Sequence, residues 1–439
     1  MLPATDAKNI EDKSQKQSEA STVSVVGCER NGILHACLLA EAGFRVICFD
    51  SDRALMERVS KGKISFLKHE IEPVLRKGLG NGRIKTANSL EEVAAQSSAI
   101  LVTTSATINE KGRVEYSSIE KTLKGLSLSL RRDTLIIIVS IMGVGVTENI
   151  LKEVLESVSG LKAGVDFYFA YSPTPFPEEQ TLKSLIECKR IVAAQDKNSL
   201  EKASKIISAI TREPPIKTLD IKTAEATVLF ESMFRNASFA VTNELASLCE
   251  KVGIDYLAVQ NLLVSDKSTF LKPKLSCDEN YEALLMLLEE AENQNVKLQV
   301  SAAILEVNRE ALKRGINLVR EALKSCGKTL RRTKIALLGF SQTLNAADTP
   351  KKSLKTFVKI LESKGVRLSL YDPYFSRKIL TDSEHPTPKR SLIEAVEGAD
   401  CIVIFTGHDQ FKRLNLRKLK LLTRMPAAIV DFEGILDPA

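Results

Sequence analysis

Apolar residues first gather at Val23-Ser24-Val25-Val26, a short β-branched run that stops at Gly27. A stretch with helical spacing follows from Gly32 to Ala42, and Gly43 closes it as a C-cap. Arg45 to Phe49 makes a second strand that ends at Asp50. Further strand-like runs stand at Ser98 to Thr103, Thr134 to Ser140, Asp166 to Tyr171 and Ile191 to Ala194, with helical patterns between the earlier ones. Such alternation predicts a parallel sheet with right-handed crossovers. From about Lys217 to Ser325 the pattern turns helical, with stretches at Thr223 to Val252 and Glu289 to Ala322. Ser265 to Asn280 carries Pro273 and no clear period, and reads as a loop. The β-α-β rhythm restarts with a strand at Lys334 to Gly339 and a helix from Ser353 to Lys364 capped by Gly365. Strands at Val366 to Tyr371, Ala399 to Thr406 and Ala427 to Asp431 complete it.

The expected fold class is therefore α/β: two Rossmann-like parallel-sheet domains joined by a helical central domain. Residues 1–20 are almost devoid of apolar content and read as a disordered leader. The expected boundaries are 21–212 for the N-terminal domain, 213–328 for the central helical domain and 329–439 for the C-terminal domain.

Composition narrows the function classes. The net charge of +7 comes from basic residues scattered along the chain. The seven tyrosines and sixteen phenylalanines do not interleave with them as stacking platforms, so no nucleic acid is expected. No apolar run approaches the roughly 18 residues of a membrane span, and the polar N-terminus lacks an apolar signal core. No membrane partner and a cytoplasmic location are expected. Eight cysteines without a CxxC argue against zinc or a disulfide framework, and the four histidines form no ligand pair at helical spacing. No metal site is expected.

Gly27-Cys28-Glu29-Arg30-Asn31-Gly32 has the length and setting of a G-x-G-x-x-G dinucleotide turn, and Asp50 stands where an acidic residue holds an adenosine ribose. NAD, held by Gly27, Gly32 and Asp50, is the cofactor this pattern suggests. The middle glycine is replaced by Glu29, which brings bulk and negative charge to the pyrophosphate. A like-charge contact at about 4 Å in an effective dielectric near 20 costs roughly 4 kcal/mol, about a thousandfold in affinity. NAD binding is expected to be weakened accordingly.

Ala170-Tyr171-Ser172-Pro173, Ala224 to Glu231, Asn243-Glu244-Leu245-Ala246 with Gly253-Ile254-Asp255, Tyr371-Asp372-Pro373-Tyr374, Gly407 to Phe411 and Ile435 to Pro438 follow in one order. Together with the N-terminal unit they resemble the UDP-glucose/GDP-mannose dehydrogenase family, including its UDP-N-acetylmannosamine dehydrogenase branch. The resemblance implies an NAD-binding N-terminal domain, a central helix that builds a dimer, and a C-terminal domain that binds the UDP part of a sugar nucleotide. It also implies oxidation of the C6 alcohol in two hydride transfers through a thioester on a cysteine, and a place in polysaccharide biosynthesis.

Carried over position by position, that resemblance places the nucleophile at Cys277, in Leu275-Ser276-Cys277-Asp278 where the family has Gly-Gly-x-Cys. Acidic neighbours Asp278 and Glu279 would raise a thiol there rather than activate it. The family's helix lysine falls at Val228, its asparagine at Ser232, and the glutamate after Ser-Pro at Thr174. The C-terminal Phe-Lys-Pro and Asp-x-Arg-Glu-Ser elements fall at Gln342-Thr343-Leu344 and Asp348 to Lys352, with Pro350 at the arginine position. Lys351 and Lys352 remain near the phosphate region, and His408 matches a family landmark whose simpler role is packing a helix start.

Two readings stay open. In the first, the chain is a nucleotide-sugar dehydrogenase homologue that is impaired or non-catalytic, a pseudoenzyme that binds a nucleotide sugar or pairs, as homodimer or heterodimer, with an active relative. In the second, it is an active NAD-dependent UDP-sugar 6-dehydrogenase with an altered site using Cys277. A lysine or histidine converging on Cys277 favours the second, whereas an apolar surround for Val228 and Thr174 favours the first.

Overall fold

The computed structural model describes residues 21–64, 66–109, 111–174, 181–262, 273, 275, 281–341, 344–345, 352–375 and 388–436. The 1–20 leader and Cys277 lie outside the described residues, as do Gln342, Thr343, Asp348, Pro350 and Lys351. The chain divides into two compact units, Met1–Ser232 with Glu282–Lys297, and Met233–Tyr281 with Leu298–Ala439.

The first unit is built on an eight-stranded sheet. Its strands are β1 (Thr22–Val26), β2 (Arg45–Phe49), β3 (Ile84–Thr86), β4 (Ala99–Val102), β7 (Leu135–Ile138), β8 (Tyr168–Tyr171), β9 (Ile191–Ala193) and β10 (Ile216–Thr218). A separate two-stranded hairpin pairs β5 (Thr107–Ile108) with β6 (Val114–Glu115). The sheet order is β10-β9-β8-β7-β4-β1-β2-β3. Every residue of β4 and β7 is buried, as strands covered on both faces require, and this explains their unbroken aliphatic runs. The wholly parallel expectation is corrected at one place: β8 and β9 meet antiparallel, through Tyr171 and Ala193.

Helix α1 (Arg30–Glu41) follows β1 and buries nine consecutive residues from Gly32 to Ala40, so its apolar face is broader than a stripe. The long helix α2 (Ile221–Val252) contributes its first turns to this unit, and α3 (Tyr281–Asn293) packs here too. Ala283 and Met286 of α3 join Val228 and Leu229 of α2 in one apolar cluster. Glu289 of α3 accepts the Val114 N–H at 3.0 Å.

The expected helix from Glu289 to Ala322 is in fact two. The chain leaves α3 after Asn293, turns through Asn295 at φ 55°, and re-enters a helix at Gln299. Asparagine tolerates the left-handed region better than most residues, and the Val296 N–H reaches back to the Ala291 carbonyl to close the turn.

The second unit carries β11 (Lys334–Leu338), β12 (Arg367–Tyr371), β13 (Cys401–Ile404) and β14 (Ala428–Asp431) in the order β12-β11-β13-β14, all parallel. Helices α4 (Gln299–Ser325) and α5 (Lys352–Ser363) pack on one face. A second cluster, centred on Leu338, Ile404 and Phe411, fills the other. No helix among the described residues is long and apolar enough to cross a membrane.

Candidate functional site

The turn after β1 is closed by backbone contacts that only glycine allows. Gly27 sits at φ +94°, and a Cβ on it would lie 2.8 Å from the Thr104 nitrogen. A Cβ on Gly32 would fall 1.7 Å from the Gly27 oxygen, so the first turn of α1 rests directly on the end of β1. The Thr103 hydroxyl donates to the Gly27 carbonyl at 2.5 Å. Asp50, at the carboxyl end of β2, accepts the Cys28 N–H at 2.6 Å and the Asp52 N–H at 2.9 Å. Glu29 is exposed at the N-cap of α1, and its side chain makes no capping bond to the helix. The Arg30 guanidinium lies 5.9 Å from the centre of the Phe66 ring. A tight turn, uncapped N–H groups at a helix start and an acidic residue one strand over are what the adenosine-pyrophosphate half of a dinucleotide needs. The residues present fit that group.

Beyond β7 and β8 the same unit holds a buried polar layer. Glu225 of α2 is wholly buried, and its two oxygens accept the Gly145 N–H at 2.6 Å and the Thr147 N–H at 2.9 Å. Burial pushes this carboxyl up to about 7, while the two N–H donors act in the opposite sense. The Tyr116 hydroxyl accepts the Gly143 N–H at 3.2 Å, and burial raises the Tyr171 phenol nearby.

Val228, one turn further along α2, is 4% exposed and packs with Ile141, Leu229, Ala283 and Met286. Ala106, Val114, Tyr116 and Val144 rim this cluster. Thr174 is buried, and its hydroxyl has no hydrogen-bond partner among the described residues. Ser232 is buried as well. The position where a family lysine was expected is thus enclosed by hydrocarbon.

Neither the hold of Glu225 on Gly145 and Thr147 nor a third buried feature leaves a mark in the sequence pattern. Arg190 is 1% exposed and donates to the His35 Nε2 at 3.2 Å and to the Ser172 carbonyl at 3.0 Å. Its Nε has no partner, and no carboxylate pairs with it among the described residues. An arginine at the head of a strand gives no sign in sequence that it will be buried.

In the second unit His408 is wholly buried. It does more than pack a helix start: its Nε2 bonds Asp372 at 3.1 Å, and its Nδ1 accepts the Asn345 N–H at 2.9 Å. Asp372 also receives the Phe340 and Ser341 N–H groups, each at 2.9 Å. Burial opposes its ionisation, but His408 and these donors together keep the carboxyl below its usual value. The pair therefore fastens the chain leaving β11. A cavity of about 260 Å³ lies in this unit beside Phe432 and Tyr256. Glu250, Asp255, Asp431 and Glu433 line it against the single guanidinium of Arg314, which is itself bonded to Glu250.

Four of the described cysteines, Cys28, Cys37, Cys48 and Cys401, are buried, and burial raises the Cys37 and Cys401 thiols. Among the described residues no group of three His, Cys, Asp or Glu side chains is arranged to hold a metal ion.

A dinucleotide-type turn on one parallel sheet, a long helix, and a second parallel sheet define a class of two-sheet nucleotide-binding α/β proteins. Residues 21–211 match the NAD-binding domain of the UDP-glucose/GDP-mannose dehydrogenase family, 222–310 its central domain and 336–438 its UDP-binding domain. The chain belongs to that family. It is 26% identical over 396 residues to a UDP-N-acetyl-D-mannosamine dehydrogenase of Pyrococcus horikoshii, covering 90% of this chain and 91% of the relative. It is also 26% identical over 419 residues to a UDP-glucose 6-dehydrogenase of Bacillus subtilis, covering 92% and 91%. The solved P. horikoshii UDP-D-ManNAc dehydrogenase superposes with a TM-score of 0.83 at 24% identity, over 95% of this chain and 96% of the other. A UDP-glucose dehydrogenase from Pyrobaculum islandicum gives 0.83 at 21%, over 96% of each.

Proposed function

We propose that this chain keeps the ligand-binding frame of a nucleotide-sugar dehydrogenase and does not carry out the C6 oxidation. NAD, when bound, supplies a hydride acceptor. Gly27 and Gly32 would bring the backbone close to its pyrophosphate, and Asp50 would accept from a ribose hydroxyl. The observation that carries the proposal is Val228. A developing oxyanion needs a donor, one such donor is worth about 3 to 4 kcal/mol, and a buried valine among Ile141, Ala283 and Met286 offers none. Thr174 supplies no carboxylate for proton transfer.

The exposed apolar face of α2, from Phe234 through Val241 and Leu248, supports pairing with a second copy or an active relative. Separate calorimetric titrations with NAD, UDP and UDP-sugars test the frame. Heat of binding with NAD is expected. Absence of binding by every ligand would remove the proposal.

A further inference from the structure

Arg190 carries a charge into the core of the first unit, and among the described residues no carboxylate pairs with it. A hydrocarbon of similar size would cost less there, so this guanidinium's contacts matter more than its contribution to stability. Those contacts join two segments distant in sequence. A guanidinium can only donate, so the Nε2 of His35, 3.2 Å away, is the acceptor. A carbonyl can only accept, so the Nδ1 of His35 carries the proton it shares with the Asn31 oxygen at 2.8 Å. The imidazole is therefore neutral, in one tautomer. Asn31 stands in the first turn of α1, next to Gly32. On its other side Arg190 holds the carbonyl of Ser172, at the chain end of β8.

We propose that Arg190 is a positioning residue for the dinucleotide: through neutral His35 it fixes the first turn of α1 against the end of β8, in the arrangement that receives the pyrophosphate. This rests on the reading that the turn binds NAD. Arg190 also places a buried positive charge two hydrogen bonds from the first turn of α1. Burial and this guanidinium together hold the His35 imidazole down to about 3, and Arg190 is the charged group that bears on it among the described residues. Removing the cation lifts the smaller of these two causes and leaves burial in place, so the direct consequence is the loss of the donor on Nε2.

The test compares NAD affinity by calorimetry, and His35 ring nitrogen shifts by NMR, in the full-length wild type, Arg190→Met and Arg190→Lys. Arg190→Met is expected to weaken NAD at least tenfold and to shift the His35 ring nitrogens, because Nε2 loses its donor. Arg190→Lys should recover part of the affinity and keep His35 neutral. An arginine that serves stability alone would leave the NAD affinity of the folded Arg190→Met variant unchanged and give Arg190→Lys nothing to rescue. Should Arg190→Met not fold, adding NAD to the wild type is expected to shift the His35 resonances. Unchanged affinity and unchanged His35 nitrogen shifts in Arg190→Met, or no shift in the wild type on saturation, overturns the proposal. A wild type that binds no NAD overturns the cofactor reading itself, and that result is distinct from equal binding by wild type and variant.

Discussion

Glu29 and Val228 are the two side chains on which the chemistry turns. Because Glu29 is exposed at the start of α1, water screens its carboxylate. The contact with a pyrophosphate then moves from the partly buried limit towards the bulk limit of about 1 kcal/mol at 4 Å, roughly fivefold in affinity. Glu29→Gly is accordingly expected to tighten NAD binding by about five- to tenfold in calorimetry, well short of the thousandfold that a buried carboxylate would impose. Val228 has the opposite setting. An amine introduced by Val228→Lys would be buried among Ile141, Leu229, Ala283 and Met286, and a loss of stability of about 1 to 3 kcal/mol is expected in urea melts. A variant as stable as the wild type would show that the cluster around Val228 opens readily to water.

Among the elements, α1 and α2 each bury a titrating group, and the two have opposite signs. Glu225 has its folded value raised from 4.5 to about 7, so its contribution is present at low pH and is lost as pH rises through that window. His35 is lowered from 6.5 to about 3, so its contribution is present above 6.5 and is lost as pH falls towards 3. Each changes stability by about 1.4 kcal/mol per pH unit, and between 4.5 and 6.5 the two oppose each other. Glu225→Gln should therefore make stability fall with acidification below pH 6.5 more steeply than in the wild type. Parallel pH curves for the two proteins would contradict this. Further along α2, Phe234 is 70% exposed, and Val241, Leu245, Leu248 and Val252 lie open beside it. Light scattering is expected to find a dimer that Leu248→Asp disrupts; a monomer at every concentration would leave that face without a partner copy.

At the level of the whole chain, what could be read from sequence was what periodicity and turn chemistry determine locally. The strands ending at Gly27, Asp50 and Gly339 stand where their apolar runs end, because a parallel strand buried on both faces shows as an unbroken aliphatic segment. The break at Asn295 was not legible, since apolar spacing continues across it and the turn depends on a single left-handed residue. The antiparallel step from β8 to β9 was hidden for a similar reason: a three-residue strand carries no mark of its direction. At the site, the substitutions at Glu29, Thr174 and Val228 were visible at once. The enclosure of Val228 by α3, the hold of Glu225 on Gly145 and Thr147, and the burial of Arg190 needed the tertiary structure, because each joins segments far apart in sequence.

The most direct measurement of the central claim is NADH formation by the purified chain, incubated at enzyme-stoichiometric concentration with NAD and each of a panel of UDP- and GDP-sugars. With hydrocarbon at position 228 and no carboxylate at 174, no NADH is expected with any of them, even where calorimetry shows that ligand is bound. Steady NADH production with one sugar nucleotide, accompanied by its C6 acid, would contradict the claim outright.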